Sequence, residues 1–226
     1  MTAAHLKQMQ LPPDRIDAPR REKILNAPPV AVLLALSMPI LFFVQQRLHD
    51  GGLSYAFLPS SLVYGDWWPG LFSAMLVHGG WGHVAANAIA ALAFGPPVAR
   101  LFTGTKGPAV FLAFYIVCGL VASIGYAVVH LGSDDAVVGA SGAVFGLMGA
   151  ALRLLGSRPG RLRAITDRRV VTAAAVIMAV NAATGLIGFA PGVEGARIAW
   201  EAHAAGFVFG LLAIGPVARL FGQKPS

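Results

Sequence analysis

Charge is what this sequence has least of. Only 12% of its 226 residues are Asp, Glu, Lys or Arg, about half the share of an ordinary soluble domain. With 56% of the residues hydrophobic and a mean hydropathy of +0.68, that scarcity excludes intrinsic disorder and argues against a soluble globular fold. Cysteine is nearly absent too. Cys118 stands alone inside an apolar run, which excludes an internal disulfide framework and any Cys-based metal cluster. There is no HExxH pattern, no internal repeat at solenoid or propeller spacing and no low-complexity tract. What is abundant is apolar sequence. Six membrane-crossing helices of about 20 residues would use roughly 120 residues, close to the apolar share, so the arithmetic calls for an all-α polytopic membrane protein.

Long apolar stretches run over about 28–44, 81–102, 107–131, 137–155, 170–190 and 198–221, each long enough to cross with some tilt or with polar ends. The first 27 residues are polar and basic and contain Pro12, Pro13 and Pro19. They resemble neither a cleavable signal peptide nor a presequence and read as a short tail. This divides the chain into a tail over 1–27, a six-helix membrane domain over 28–222 and a second tail over 223–226. With the N-terminus placed in the cytoplasm, 15 of the 17 basic residues fall on that side, and only Arg47 and Arg197 lie outside. The positive-inside bias selects this arrangement for an even number of spans with both termini cytoplasmic. The pI near 10.2 is therefore a topology signal and not the footprint of a nucleic-acid partner. Asp50, Asp66, Asp134, Asp135 and Glu194 lie in the outer loops. The longest of these loops, about 45–80, carries Trp67, Trp68 and Pro69, as suits a segment partly in the headgroup region.

Polar side chains inside a span are costly, so each one is a functional candidate. His83 and Asn87 fall in span two, Ser141 in span four, Asn181 in span five, and Glu201 and His203 in span six, with His78 just ahead of span two. Spans two, four and six run in the same direction. At about 1.5 Å per residue, Ser141 lies roughly 6 Å below Val137, and His83, Asn87 and His203 lie at comparable depth. The GxxxG pairs Gly142–Gly146 and Gly206–Gly210 let spans four and six approach backbone to backbone, which puts Ser141 at the edge of the seam and His203 on it. A hydroxyl beside an imidazole is the minimum for an activated nucleophile, because the imidazole removes the proton during attack. Gly139 permits a turn that exposes the hydroxyl. His83 and Asn87, spaced i, i+4, share a helix face and offer two N–H donors to a developing oxyanion. Glu201 faces away from His203, and Asp134 and Asp135 lie in the loop before span four, so the pattern predicts a Ser–His dyad and not a triad.

Taken singly, these signals have plainer readings. GASG alone is more often helix packing than nucleophile, and His49 and His130 read as interfacial residues. Grouping His78 and His83 with His203 as a metal set fails for want of a carboxylate or thiolate at ligand spacing. Asn181 with Thr184 reads as an interhelical hydrogen bond, or secondarily as the lining of an access path. Glu201 reads as reaching the outer interface or a loop donor. The concurrence of Ser, two His and Asn at one depth outweighs these.

Those residues are similar to the rhomboid family of intramembrane serine proteases over about 28–221. The stretch from His78 through His83 to Asn87 resembles the family's HxxxxHxxxN in the second helix. Gly139-Ala-Ser141-Gly142 resembles the GxSG of the fourth, and Ala202-His203 through Gly206 to Gly210 resembles the AHxxGxxxG of the sixth. The resemblance implies a six-helix bundle of the type common in bacteria, located in the inner membrane. It implies Ser141 as nucleophile and His203 as general base, and oxyanion donation from His83, Asn87 and the Ser141 N–H. It further implies no metal or organic cofactor, water reaching the dyad from the outer face, and single-pass transmembrane proteins as substrates. These would be admitted laterally by movement of the fifth helix and the loop about 191–197. Oligomeric state is left open. Two departures stand out. Phe145 occupies the position where the family often has a Tyr packed on the base, so it can stack but not hydrogen-bond, and the Trp67-Trp68 segment lacks the family's Trp-Arg pair. The rival readings are a non-catalytic rhomboid-like protein that binds transmembrane helices and a small-solute channel. The second requires polar residues through both leaflets, and the inner halves of these spans offer almost none.

Overall fold

The computed structural model describes residues 27–65, 69–157, 160–188 and 198–222. The N-terminal tail to residue 26, Trp67 and Trp68, the 191–197 loop and the 223–226 tail lie outside the described residues.

The described chain is all-helical, with one isolated antiparallel bridge between Phe57 and Val137. Helix α1 (Pro29–Gln45) opens with Pro at N1, where a missing N–H costs nothing and the fixed φ favours the helix. Two short helices, α2 (Ser60–Tyr64) and α3 (Gly70–Ser73), lie in the connection to α4 (Trp81–Ala99). Then come α5 (Gly107–Val129), α6 (Ser141–Leu152), α7 (Arg168–Ile187) and α8 (Trp200–Phe221). Helix α7 is capped by the Asp167 carboxylate, which accepts from the Arg169 N–H at 2.8 Å. It stops at Gly188, whose φ of 73° is the left-handed conformation that favours glycine. Asp167 also meets Arg163 at 2.9 Å. The Arg169 N–H and then the Arg163 guanidinium hold its carboxyl below the usual carboxylate range.

Three helices, α5, α7 and α8, with 23, 20 and 22 residues, are long and apolar enough to cross a membrane. Helices α1 and α6 are apolar but shorter. The largest difference from the sequence reading concerns α6, which begins at Ser141 and not at Val137. Residues 137–140 are not helical. Val137 is tied to Phe57, Gly139 turns at φ 118°, and Ala140 is the N-cap. A 12-residue helix is only about 18 Å long, against a hydrocarbon core of about 30 Å. The Ser141 depth derived from helical rise therefore does not apply.

Helix α6 is the centre of the molecule. Of its 12 residues, nine are buried, most of them Gly or Ala, and it packs against α4, α5 and α8. Small residues make this possible. A Cβ on Gly206 would strike the Gly142 carbonyl, one on Gly210 the Gly146 carbonyl and one on Gly149 the Phe207 carbonyl, so α6 and α8 touch through their backbones. Around this seam Phe111, Cys118, Leu147 and Ile214 are fully buried, and Ala31 and Ala91 bring α1 and α4 onto the same core. Helix α7 is the opposite case: of its 20 residues, only Val170 and Asn181 are buried.

The connection between α1 and α4 is fastened to the Ser141 end of this core by backbone-like bonds. The Gln45 side chain pairs with the His78 backbone, Nε2 donating to its carbonyl and Oε1 accepting from its N–H, both at 2.8 Å. The Gly139 N–H donates to the Ala74 carbonyl at 2.8 Å, which anchors the turn ahead of Ser141 to the same loop. Nearer the surface, Asp50 accepts from the Gly52 and Ser54 N–H groups, and those bonds, Ser54 first, lower its carboxyl from the ordinary range.

Candidate active site

Ser141 is the first residue of α6, and His203 lies in the first turn of α8. Backbone contact between the two helices therefore brings two helix starts together. Ser141 Oγ and His203 Nε2 lie 2.8 Å apart. The other face of the imidazole is covered by Phe145, one turn below Ser141 on α6. The two rings are stacked, with centroids 4.3 Å apart and planes within 4°.

The remaining ring nitrogen, His203 Nδ1, lies 3.0 Å from Asn181 Oδ1 on α7. Asn181 is buried, and its Nδ2 donates to the Trp200 carbonyl at 2.9 Å. Sequence reasoning assigned Asn181 to an interhelical hydrogen bond without naming its partner. The one available signal was an amide within an apolar span. Thr184 Oγ1 donates to the Asn181 carbonyl at 2.8 Å, within the same helix.

His83 packs beneath the turn ahead of the serine. A Cβ on Gly139 would lie 2.7 Å from His83 Nε2, and the positive φ of Gly139 would strain any other residue there. The Gly79 N–H donates to His83 Nδ1 at 3.4 Å. Nδ1 is thus the acceptor, and the proton sits on Nε2, on the Gly139 side. Asn87, one turn further along α4 and buried, donates from Nδ2 to the His83 carbonyl at 2.9 Å, which leaves its second N–H to spare. The N-terminus of α6 has no side-chain cap. Its first N–H groups have no partner within the helix and form a site of positive potential. His83 and Asn87 on α4 and the start of α6 thus each carry N–H donors, on two helices that pack against each other.

His78 stands behind His83, its ring edge-on at 5.3 Å. It is 2% exposed, and neither ring nitrogen has a hydrogen-bond partner among the described residues. Burial, with a smaller contribution from the nearby His83, pushes its imidazole down to about 4. His78 is thus a buried imidazole packed against His83. Glu201 turns away from His203 and meets His130 of α5 at 3.2 Å, under the stacked Tyr126 ring. Among the described residues, no group of three or more His, Cys, Asp and Glu side chains is disposed to hold a metal ion.

A hydroxyl with an imidazole within hydrogen-bond reach can do nucleophilic chemistry. Residues 64–219 match the family model described as Rhomboid domain, a stretch running from the end of α2 to the last turn of α8. No curated protein matches the chain.

Proposed function

The chain belongs to the rhomboid family, an integral-membrane family that includes intramembrane proteases, and from this we propose that it is a serine endopeptidase. It hydrolyses peptide bonds in or beside the transmembrane helix of single-pass membrane proteins. The observation that carries the reading is the 2.8 Å approach of Ser141 Oγ to His203 Nε2.

In this reading Ser141 Oγ attacks the scissile carbonyl carbon while its proton passes to His203 Nε2. The electron pair driven onto the carbonyl oxygen is met by the Ser141 N–H, His83 Nε2–H and the free N–H of Asn87. Collapse expels the amine, which takes the proton from His203, and water then releases the acyl group by the same steps in reverse roles. An intact substrate helix hides its carbonyls in i to i−4 bonds, so the cut strand must unwind. Phe145 holds the imidazole plane, and Gly139 gives the turn its shape. The Gly142–Gly146 and Gly206–Gly210 contacts hold nucleophile and base in register.

The architecture belongs to the same proposal. In it α1, α4 and the short α6, embedded among its neighbours rather than crossing alone, join the three clear spans to make six, with both termini in the cytoplasm and the site toward the outer face. Residues 28–222 form the protease domain. Substrate enters beside α7, the least embedded helix.

The test is to incubate detergent-solubilised protein with a fluorophosphonate probe and with a single-pass transmembrane substrate, comparing wild type, Ser141→Ala and His203→Ala. Labelling and cleavage in wild type alone are expected. Substrate binding by all three proteins without cleavage by any favours the helix-binding, non-catalytic alternative, and equal cleavage by all three overturns the assignment of these residues.

A further inference from the structure

Of the hydrogen bonds around the site, the pair made by Asn181 fixes more than its own side chain. The Trp200 carbonyl can only accept, so the group that meets it at 2.9 Å must be the Asn181 NH2. The amide oxygen therefore faces His203 Nδ1 at 3.0 Å. An amide oxygen also only accepts, so Nδ1 must carry the ring proton. With the proton on Nδ1, Nε2 holds a lone pair aimed at Ser141 Oγ, 2.8 Å away. The chain of donors and acceptors from Trp200 to Ser141 has a single consistent direction, and it leaves the imidazole as a base.

We propose that Asn181 is a positioning residue of this site, selecting the Nδ1–H tautomer of His203 and stabilising the imidazolium that forms during attack. The proposal rests on the reading of Ser141 and His203 as nucleophile and base, and it adds a third member to that pair from α7. In the other tautomer, Nε2–H would donate to Oγ and could not take its proton. An amide is enough for this work, since a neutral oxygen can orient an imidazole without a buried carboxylate and its desolvation cost.

The packing of α7 supports a role beyond generic helix contact. Asn181 is the only buried residue in the C-terminal half of a helix with two buried residues in all. Both ends of its amide are used, and neither partner is on its own helix. Among the described residues no carboxylate is bonded to Nδ1, and Glu201 on α8 is engaged by His130 at the C-cap of α5. Among the described residues, the other titratable side chain acting on His203 is His83 of α4, which lies toward the Gly139 turn.

The test uses the full-length chain in detergent with a single-pass substrate, and Ser141→Ala as the inactive control. Asn181→Leu is expected to lower kcat about 10- to 150-fold, the range that a hydrogen bond to a charged group supports, with KM within about twofold. Asn181→Asp keeps an acceptor on Nδ1 and should retain several-fold more kcat than Asn181→Leu. A readout independent of turnover is the 15N spectrum of the histidine rings, with His203 assigned by its loss in His203→Gln. Wild type should show Nδ1–H, and Asn181→Leu a mixture or the Nε2–H form. The proposal is overturned by an Nε2–H form in wild type, by an unchanged tautomer in Asn181→Leu, or by a kcat that Asn181→Leu leaves intact. The wild-type spectrum decides the matter even if the variant does not fold. If Ser141→Ala cleaved as wild type does, the endopeptidase reading would fail, and the ring spectra would still report on Asn181.

Discussion

His203 is held from three directions, by Phe145 on its face, Asn181 at Nδ1 and Ser141 at Nε2. The face contact can be tested without touching a polar atom. An aromatic stack is worth about 0.5–1.5 kcal/mol beyond its area, so Phe145→Ala should lower kcat by roughly 2- to 12-fold. Phe145→Tyr keeps the ring and should stay near wild type in the same steady-state assay. Oxyanion donation is the more demanding role. Removing one such donor typically costs about 10²–10³ in kcat, and Asn87→Ala should fall in that range with KM little changed and Ser141 still in place. A KM effect alone would assign Asn87 to substrate binding. At this scale the sequence was informative for residues whose chemistry is rare in an apolar span, which is why Ser141, His83, Asn87 and His203 stood out. It was silent on Asn181 as a partner of His203, because the two lie on different helices and no spacing rule connects them.

The helices divide into one that is held everywhere and one that is held at few points. Helix α6 is small-residue sequence and nine-twelfths buried, while α7 buries only Val170 and Asn181. Two substitutions test the contrast. A Cβ on Gly210 has nowhere to go but into the Gly146 carbonyl. Gly210→Ala must therefore part α6 from α8, at a cost of about 1–3 kcal/mol for overpacking and with a lower melting temperature in detergent. Near the C-terminal end of α7, a Cβ on Gly185 would strike the Trp200 indole. Gly185→Val should lift α7 from α8 and lengthen the Asn181–His203 bond, reducing kcat with little change in melting temperature, since so little of α7 is packed. A melting loss as large as that of Gly210→Ala would contradict this picture. Helix existence was legible from apolar runs, and the ends of α5 and α8 came within two residues of the expected limits. The start of α6 was not, because Val137 and Val138 are apolar whether helical or not. What ends the helix there is the positive φ of Gly139 and the bridge of Val137 to Phe57, a long-range contact that no local pattern reveals.

For the molecule as a whole, the scarcity of charge leaves few groups whose titration can move stability, and buried histidine is the strongest of them. His78 is 2% exposed, and its ring nitrogens are unpartnered among the described residues. Its imidazole is lowered from 6.5 to about 4, first by burial and then by His83. In the unfolded chain this residue binds a proton as the pH falls through 6.5, while the folded protein keeps it neutral until about 4. The unfolded state then holds more protons, so folding stability declines with falling pH across that window and levels off below it. Asp50 and Asp167 are lowered carboxyls, whose contribution is present above their unfolded value and is lost only at more acidic pH. The two effects therefore separate along the pH axis. His78→Leu removes the titrating group and the desolvated nitrogens while leaving the backbone bonds to Gln45. Its melting temperature relative to wild type should rise steadily as the pH is taken from 6.5 to 4, measured on a Ser141→Ala background to prevent self-cleavage. A difference that stays constant across the window would mean that His78 is protonated in the folded protein, and that its ring has found a partner or water in the membrane-embedded state.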